Sequence, residues 1–263
     1  MDGRLLGRTG LTVSPLGWGT VKLGRNRDVK YPQSFELPDD AAVEALVDVA
    51  LEEGVVFWDT APAYGRSEER LGRFVERHRE RIVLSSKAGE DYGPDGSSHD
   101  FSADAIVASV HRSLRRLRTD RLDVLLIHSD GRDDMILDET DVLEGVERLR
   151  TAGDVRCAGI SAKSAKGIDR ARAVLDVVMA PVNANHPELV PALRRAADDG
   201  LGIIGIKVLE QGHAIDLPSA FRHALLDGPA DVAVVGTLNP AHLRDAAQHV
   251  RATVGGKSGG AHR

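Results

Sequence analysis

The feature that most limits how this chain can fold is the strict alternation of short apolar runs with amphipathic stretches. Runs rich in β-branched residues or Leu end at Gly17, Trp58, Ser86, Ile127, Ile160, Val182, Ile206 and Val235. Stretches with helical periodicity begin near Asp39, Ser67, Ser102, Asp138, Ser164, Glu188, Leu217 and Pro240. A strand that is always followed by a helix builds a parallel sheet, and eight such units predict a closed (β/α)8 TIM barrel of the α/β class. The 263 residues suit that architecture, which typically takes about 250. No shift in composition marks a boundary, so residues 1–263 are expected to form a single barrel domain. Asp39, Ser67 and Ser102 are expected to cap their helices by accepting from free backbone N–H groups. Residues 1–14 carry turn signals at Gly7 and Thr9-Gly10 and predict an N-terminal β-hairpin closing one end of the barrel. The Gly-rich residues 254–263 predict a flexible tail.

Charge and cysteine usage remove several classes of function. Lys and Arg number 34 against 40 Asp and Glu, a net charge of -6 with no long basic run, so no nucleic-acid partner is expected. The lone Cys157 can form neither an intrachain disulfide nor a thiolate metal cluster, which fits a reducing compartment and a small apolar residue in a strand. No apolar run approaches the roughly 20 residues that span a bilayer, and the opening MDGRLLGRTG lacks a signal-peptide core. A cytoplasmic protein without a membrane partner is expected. His99, His111, His213 and His223 lack ligand-like spacing, so no metal site is expected. Gly17-Trp18-Gly19 lacks the third glycine and the later acid of a dinucleotide fingerprint. The basic stretch Arg112 to Arg118 reads as a solvated helix face that meets neighbouring acids.

Barrels of this kind build their sites from the loops that follow the strands. Two of these loops are long, Val21 to Pro38 and Ala88 to Phe101, and they carry the aromatics Tyr31, Phe35, Tyr92 and Phe101 in a chain only 4% aromatic. They read as substrate-selecting loops or as passive covers. Four ionisable residues sit at or just beyond the ends of three successive strands: Asp59 and Tyr64 in WDTAPAYG, Lys87 in SSKAG, and His128 in LLIHSD. A tyrosine is a poor acid, with a reference pKa of about 10, and needs a neighbouring cation to stabilise its phenolate. Lys87 is the candidate cation, expected to depress the Tyr64 pKa, with Asp59 as its counter-charge. His128 is placed to hydrogen-bond a substrate oxygen as a neutral imidazole.

With these residues assembled, the chain resembles the aldo-keto reductase family along GWGT, DTAPAYGRSEERLG, SSKAG, SLRRLRTDRLDVLLIHS, GDVRCAGIS, IGIKVLEQG and VVGTLNPAHLRD. The resemblance implies reversible reduction of aldehydes or ketones with NADPH, NADH being possible, no metal, and Asp59, Tyr64, Lys87 and His128 as the catalytic residues. It implies that Thr20, Asp59 and Ser161 line the nicotinamide and ribose. The customary Asn after that serine is Ala162 here, and the customary Gln of the sixth strand is Val182 with Asn183 beside it. An aromatic that stacks on the nicotinamide is replaced by Lys207. Lys207, Val208, Leu209 and Gln211 are assigned to the cofactor, with an internal ion pair as the alternative for Lys207. Gly236, Thr237, Asn239 and His242 are assigned to its adenosine end, where Thr237 and Asn239 have plain helix capping as their alternative. Basic residues that the family uses there are missing at Gly236 and weakened at His242, which implies a weak preference for NADPH. Trp18, Phe35 and Tyr92 are assigned to substrate.

The expected partner is thus a small carbonyl or alcohol, with the oligomeric state open. Two other classes stand beside the reductase. One is a non-catalytic nicotinamide-binding regulatory subunit, against which retention of all four active-site residues argues. The other is a redox-neutral barrel enzyme such as a lyase or epimerase.

Overall fold

A computed structural model describes residues 1–29, 31, 33–210 and 216–255. Its centre is a closed barrel of parallel strands: β3 (Leu16–Gly19), β4 (Phe57–Asp59), β5 (Val83–Ala88), β8 (Leu122–His128), β9 (Val155–Ser161), β10 (Val177–Pro181), β11 (Gly202–Ile206) and β12 (Val232–Val235). Two antiparallel hairpins flank it, β1 (Arg4–Leu5) with β2 (Thr12–Val13), and β6 (Glu90–Gly93) with β7 (Gly96–His99). The helices around it are α1 (Val21–Gly24), α2 (Asp40–Glu52), α3 (Ser67–His78), α4 (Ala103–Leu117), α5 (Asp133–Glu139), α6 (Val142–Ala152), α7 (Ala165–Ala171), α8 (Val190–Asp198), α9 (Leu217–Arg222) and α10 (Pro240–Gly255). All eight strands expected from the apolar runs are present, and the barrel closes where β12 pairs with β3. Among the described residues no helix is long and apolar enough to cross a membrane.

Alternation along each strand divides the core in two. Phe57, Val124, Leu126, Cys157, Val177, Met179, Ile204, Val232 and Val234 fill the barrel interior together with Leu6, Leu11 and Val13 of the first hairpin. That hairpin seals the amino-terminal end, where Arg8 N–H donates to Gly200 O at 2.8 Å. Gly7, at φ +49°, lies so near the Gly200–Gly202 backbone that a Cβ would come within 2.3 Å of Gly202 N, so only glycine fits. Cys157 is buried in this interior, and burial raises its thiol to about 12, which leaves it protonated and inert. The other set of alternate residues packs outward against the helices.

Three expectations fail locally. Ser67 is not a cap: it is the first residue of α3, and its buried hydroxyl lies within hydrogen-bond distance of Thr20 O at 2.9 Å and Thr20 Oγ1 at 2.8 Å, tying the loop after β4 to that after β3. Asp39, Ser102 and also Ser164 do cap their helices. The helix expected to begin near Asp138 begins at Val142 as α6, with α5 ahead of it, because Thr140 is extended and its hydroxyl donates to Ile136 O at 2.7 Å while accepting from Val142 N. Asp133 at the start of α5 is fully buried, and its Oδ2 accepts from Lys163 N and Ser164 N at 2.9 and 2.8 Å. Those bonds fix the loop that follows Ser161. The tail expected from residue 254 instead continues α10 through Gly255, and its remainder lies outside the described residues.

Candidate active site

At the carboxyl ends of the strands the inward-facing residues change from apolar to polar. Parity explains which residues arrive there. Phe57 fills the barrel, so Asp59 points inward two residues on; Leu126 does the same for His128, and Cys157 for Ser161 through Gly159. They enclose a cavity of 360 Å³ with Tyr64, Lys87, Met179 and Val234 among its lining residues. The four residues expected to be catalytic all line it.

Lys87 is 1% exposed, and its Nζ donates to Asp59 Oδ1 and Oδ2 at 2.6 and 2.7 Å and to Thr60 O at 3.0 Å. Ser85 Oγ adds a donor to Asp59 Oδ1 at 3.1 Å. The same Nζ lies 4.7 Å from the centre of the Tyr64 ring. Burial lowers the Lys87 pKa, and Asp59 opposes that effect directly. Tyr64 ends the short 3-10 turn Pro62–Tyr64 and meets His128 edge-on at 6.2 Å between ring centres. Burial raises its phenol well above the ordinary value, and Asp59 and Glu90 add to the rise while Arg25 opposes it. The phenol as a whole is therefore raised, where a net depression by Lys87 was expected. Asp59 sits against the ammonium on two oxygens and offsets part of its field at the ring, and desolvation outweighs what remains. Tyr64 carries its proton throughout the neutral range.

His128 has a partner that the sequence reading missed. Its Nδ1 is 3.0 Å from Glu90 Oε2 in the β6–β7 hairpin, off the axis of a well-formed hydrogen bond, so the contact is an ion pair when the ring is charged. Glu90 Oε1 accepts from Ser97 Oγ at 2.6 Å, and Arg25 Nη1 stands 3.9 Å away. Burial opposes ionisation of Glu90, but the contacts with His128 and Ser97 outweigh it and hold the carboxyl at about 2. Burial lowers the His128 pKa, with Glu90 pulling upward. A hairpin inside a loop gives no hydrophobic alternation, so only its spacing from Lys87 could have drawn attention to Glu90.

The two long loops are joined to each other. Tyr92 Oη donates to Asp28 Oδ2 at 2.7 Å, and the Arg25 guanidinium lies 3.6 Å over its ring. Phe35 packs edge-on against Tyr31 at 5.7 Å. Neither Tyr92 nor Phe35 lines the cavity, which corrects their assignment to substrate; Tyr31 does line it, with Lys22 Nζ 4.1 Å over its ring. Trp18 is corrected too. It has the outward parity of β3, is fully buried edge-on to Trp58 at 5.5 Å, and leaves its Nε1 unpaired. Its neighbours Gly17 and Gly19 face the interior, where a Cβ would meet Val232 and Val234 side chains.

The residues assigned to the cofactor divide in the same way. Ser161, Lys207, Val208, Leu209 and Gly236 line the cavity, as does Thr20. Gly19 and Gly236 form a shallow edge, where a Cβ on Gly236 would lie 3.4 Å from Gly19 O and 3.5 Å from the Tyr31 hydroxyl. A flat ring can approach backbone there, so the residues fit a nicotinamide cofactor. The Thr20 hydroxyl is already committed, donating to Asp59 O at 2.9 Å. The Asn183 amide is spent on Lys207 O at 2.8 Å and Asn185 N at 2.9 Å, and this residue does not line the cavity. Thr237 Oγ1 accepts from Asn239 N, and Asn239 Oδ1 accepts from Ala241 N, the capping alternative for both. His242 is exposed, while Arg244 is held by Glu52 at 2.7 Å. Gln211 lies outside the described residues.

Comparison with known proteins agrees with this geometry. The model of the Aldo/keto reductase family matches residues 15–215. The chain is 29% identical over 231 residues to a D-threo-aldose 1-dehydrogenase from a Pseudomonas species, a match covering 77% of this chain and 68% of that one. It is 31% identical over 223 residues to an L-galactose dehydrogenase of Arabidopsis thaliana, covering 80% of this chain and 66% of the relative. A solved structure from Pseudomonas aeruginosa assigned to the aldo-keto reductases superposes with a TM-score of 0.87 at 40% identity, covering 96% of this chain and 95% of the other. Among the curated relatives the matched stretch spans 68%, 49% and 56% of three of them.

Proposed function

Because the chain belongs to the aldo/keto reductase family, and with it to the NAD(P)H-dependent oxidoreductases of carbonyl groups, we propose that Tyr64 is its general acid for reducing an aldehyde or ketone to an alcohol, and its base in reverse. The observation that carries this reading is the Lys87–Asp59 pair set against the ring of a buried, protonated Tyr64 inside the cavity. When bound, the cofactor supplies or takes up the hydride. The protein's own part is to hold the carbonyl carbon near that hydride and to transfer a proton at the carbonyl oxygen. Tyr64 Oη is the donor; the developing alkoxide is a far stronger base than the phenolate, so even a phenol of raised pKa gives up its proton at that moment. Lys87 then stabilises the phenolate left behind, and Asp59 keeps Lys87 charged in a site that would otherwise favour its neutral form. Ser161 and the Gly19–Gly236 edge would hold the nicotinamide, and Val208 and Leu209 its neighbouring ribose and phosphates.

NADPH is the proposed cofactor, with NADH accepted nearly as well. The only basic side chain assigned to the adenosine end, His242, is an exposed imidazole and not the forked guanidinium that matches a phosphate on two donors. A small polar carbonyl such as an aldose suits both the cavity and the sugars named for two relatives. The enzyme is taken to act in the cytoplasm, where its single buried thiol stays reduced. Incubation with NADPH or NADH and a panel of aldehydes, ketones and aldoses, followed by nicotinamide absorbance, tests the reading; no turnover with any member opposes it.

A further inference from the structure

The Glu90–His128 contact limits what the imidazole can present to a substrate. A carboxylate offers only acceptor lone pairs, and Glu90 Oε2 stands 3.0 Å from Nδ1. If Nδ1 were bare, two acceptors would face each other in a buried place. A proton on Nδ1 in either charge state of the ring removes that clash of lone pairs. It follows that Nε2 bears a proton only in the imidazolium form; in the neutral form Nε2 is an acceptor. The neutral imidazole expected from the sequence would then meet a substrate oxygen as an acceptor at Nε2.

We propose that Glu90 is a positioning residue that fixes the tautomer of His128, so that the ring donates to a carbonyl oxygen when protonated and accepts from an alcohol hydroxyl when neutral. The inference rests on the reading of His128 as a substrate-facing group. It adds a residue from the hairpin of the third strand-to-helix loop, and it ties the direction that the site favours to the protonation of one ring. Glu90 is itself held in place: Ser97 Oγ binds Oε1 at 2.6 Å, and Arg25, from the other long loop, lies 3.9 Å away. Arg25 is anchored in turn by Ala63 O at 3.0 Å, one residue before Tyr64.

The charged groups that bear on this ring come from several elements. Lys87 on β5 opposes its protonation, whereas Glu90 on β6 and Asp59 on β4 favour it, and burial opposes it most. His99 on β7 approaches the same Glu90 carboxyl at 4.0 Å. Tyr64 meets the ring by its edge and carries no charge in the neutral range.

The test is nitrogen NMR of uniformly labelled protein, with the His128 signals among the ten histidines assigned by their absence in His128→Asn. Above its ionisation, wild-type His128 is expected in the Nδ1–H form. In Glu90→Leu the acceptor facing Nδ1 is removed, so the neutral ring is expected to change to Nε2–H and its ionisation to move to lower pH. Glu90→Asp, which keeps the charge, is expected to retain the wild-type tautomer. In the carbonyl-reducing direction, kcat/KM of the wild type should fall as the ring loses its proton, and this alkaline limb should flatten in Glu90→Leu. A wild-type ring in the Nε2–H form, or an unchanged tautomer in Glu90→Leu, overturns the proposal. The expected tautomers in a protein that turns over no carbonyl would uphold the Glu90 contact and overturn the proposed function instead.

Discussion

Lys87 reaches both carboxylate oxygens of Asp59, at 2.6 and 2.7 Å, in a place where neither side chain meets solvent. Removing one partner leaves the other charge buried and unpaired. Lys87→Met is expected to destabilise the fold by about 3–5 kcal/mol, and Lys87→Met with Asp59→Leu to recover most of that loss. Urea unfolding of both variants measures this. The double variant should regain stability while remaining inactive, which separates the pair's role in the fold from its role toward Tyr64. Equal stability of wild type and Lys87→Met would mean that the pair contributes nothing.

The low pKa of Glu90 makes a prediction about acid stability. Its folded value of about 2 lies below the ordinary glutamate value of 4.5. A depressed carboxyl stabilises the fold above its unfolded pKa, and that contribution fades as pH falls from about 4.5 toward 2. Glu90→Gln should therefore flatten the dependence of unfolding free energy on pH across that window. Parallel curves for wild type and variant would contradict the assignment.

Trp18 tests the parity argument. Buried on the outer face of β3 against Trp58, it is a packing residue. Trp18→Ala is expected to cost about 3–5 kcal/mol of stability. Trp18→Phe, which keeps most of the contact, should leave KM unchanged for every substrate in the panel. A substrate-dependent change in KM for Trp18→Phe would return it to the site.

Much of the architecture could be read from the sequence, because strand–helix alternation and the period of two both follow from local geometry. The same period of two, counted back from Asp59 through the pairing of Gly19 with Asp59, would have placed Trp18 on the outer face. Asp59, Tyr64, Lys87 and His128 were legible because each lies at or just past a strand end. Glu90 was not, since its meeting with His128 depends on a hairpin folding back over the barrel. Tyr31 rather than Phe35 or Tyr92 reaches the cavity for a similar reason: the two loops brace each other through Tyr92, Asp28 and Arg25, and no local pattern encodes that contact.

Cofactor choice follows from the adenosine end. With Gly236 offering no side chain and Arg244 bound to Glu52, His242 is the remaining basic group there. The ratio of kcat/KM for NADPH over NADH should be modest, because an imidazole cannot match a phosphate on two donors as a guanidinium does. His242→Ala should lower that ratio further. A ratio that survives in His242→Ala but collapses in Arg244→Ala would assign the phosphate to Arg244.

Tyr64→Phe tests the central claim most directly, because it keeps the ring between Lys87 and His128 and removes only the hydroxyl. Single-turnover reduction of a carbonyl found active in the panel, measured beside NADPH binding by fluorescence, reads the two properties separately. Unchanged NADPH affinity is expected, with the chemical step slowed by roughly 10²- to 10⁴-fold, the usual worth of a general acid. A variant that keeps more than about half of the wild-type rate, where loss of a general acid should cost at least about a hundredfold, would contradict the assignment of Tyr64 as the proton donor.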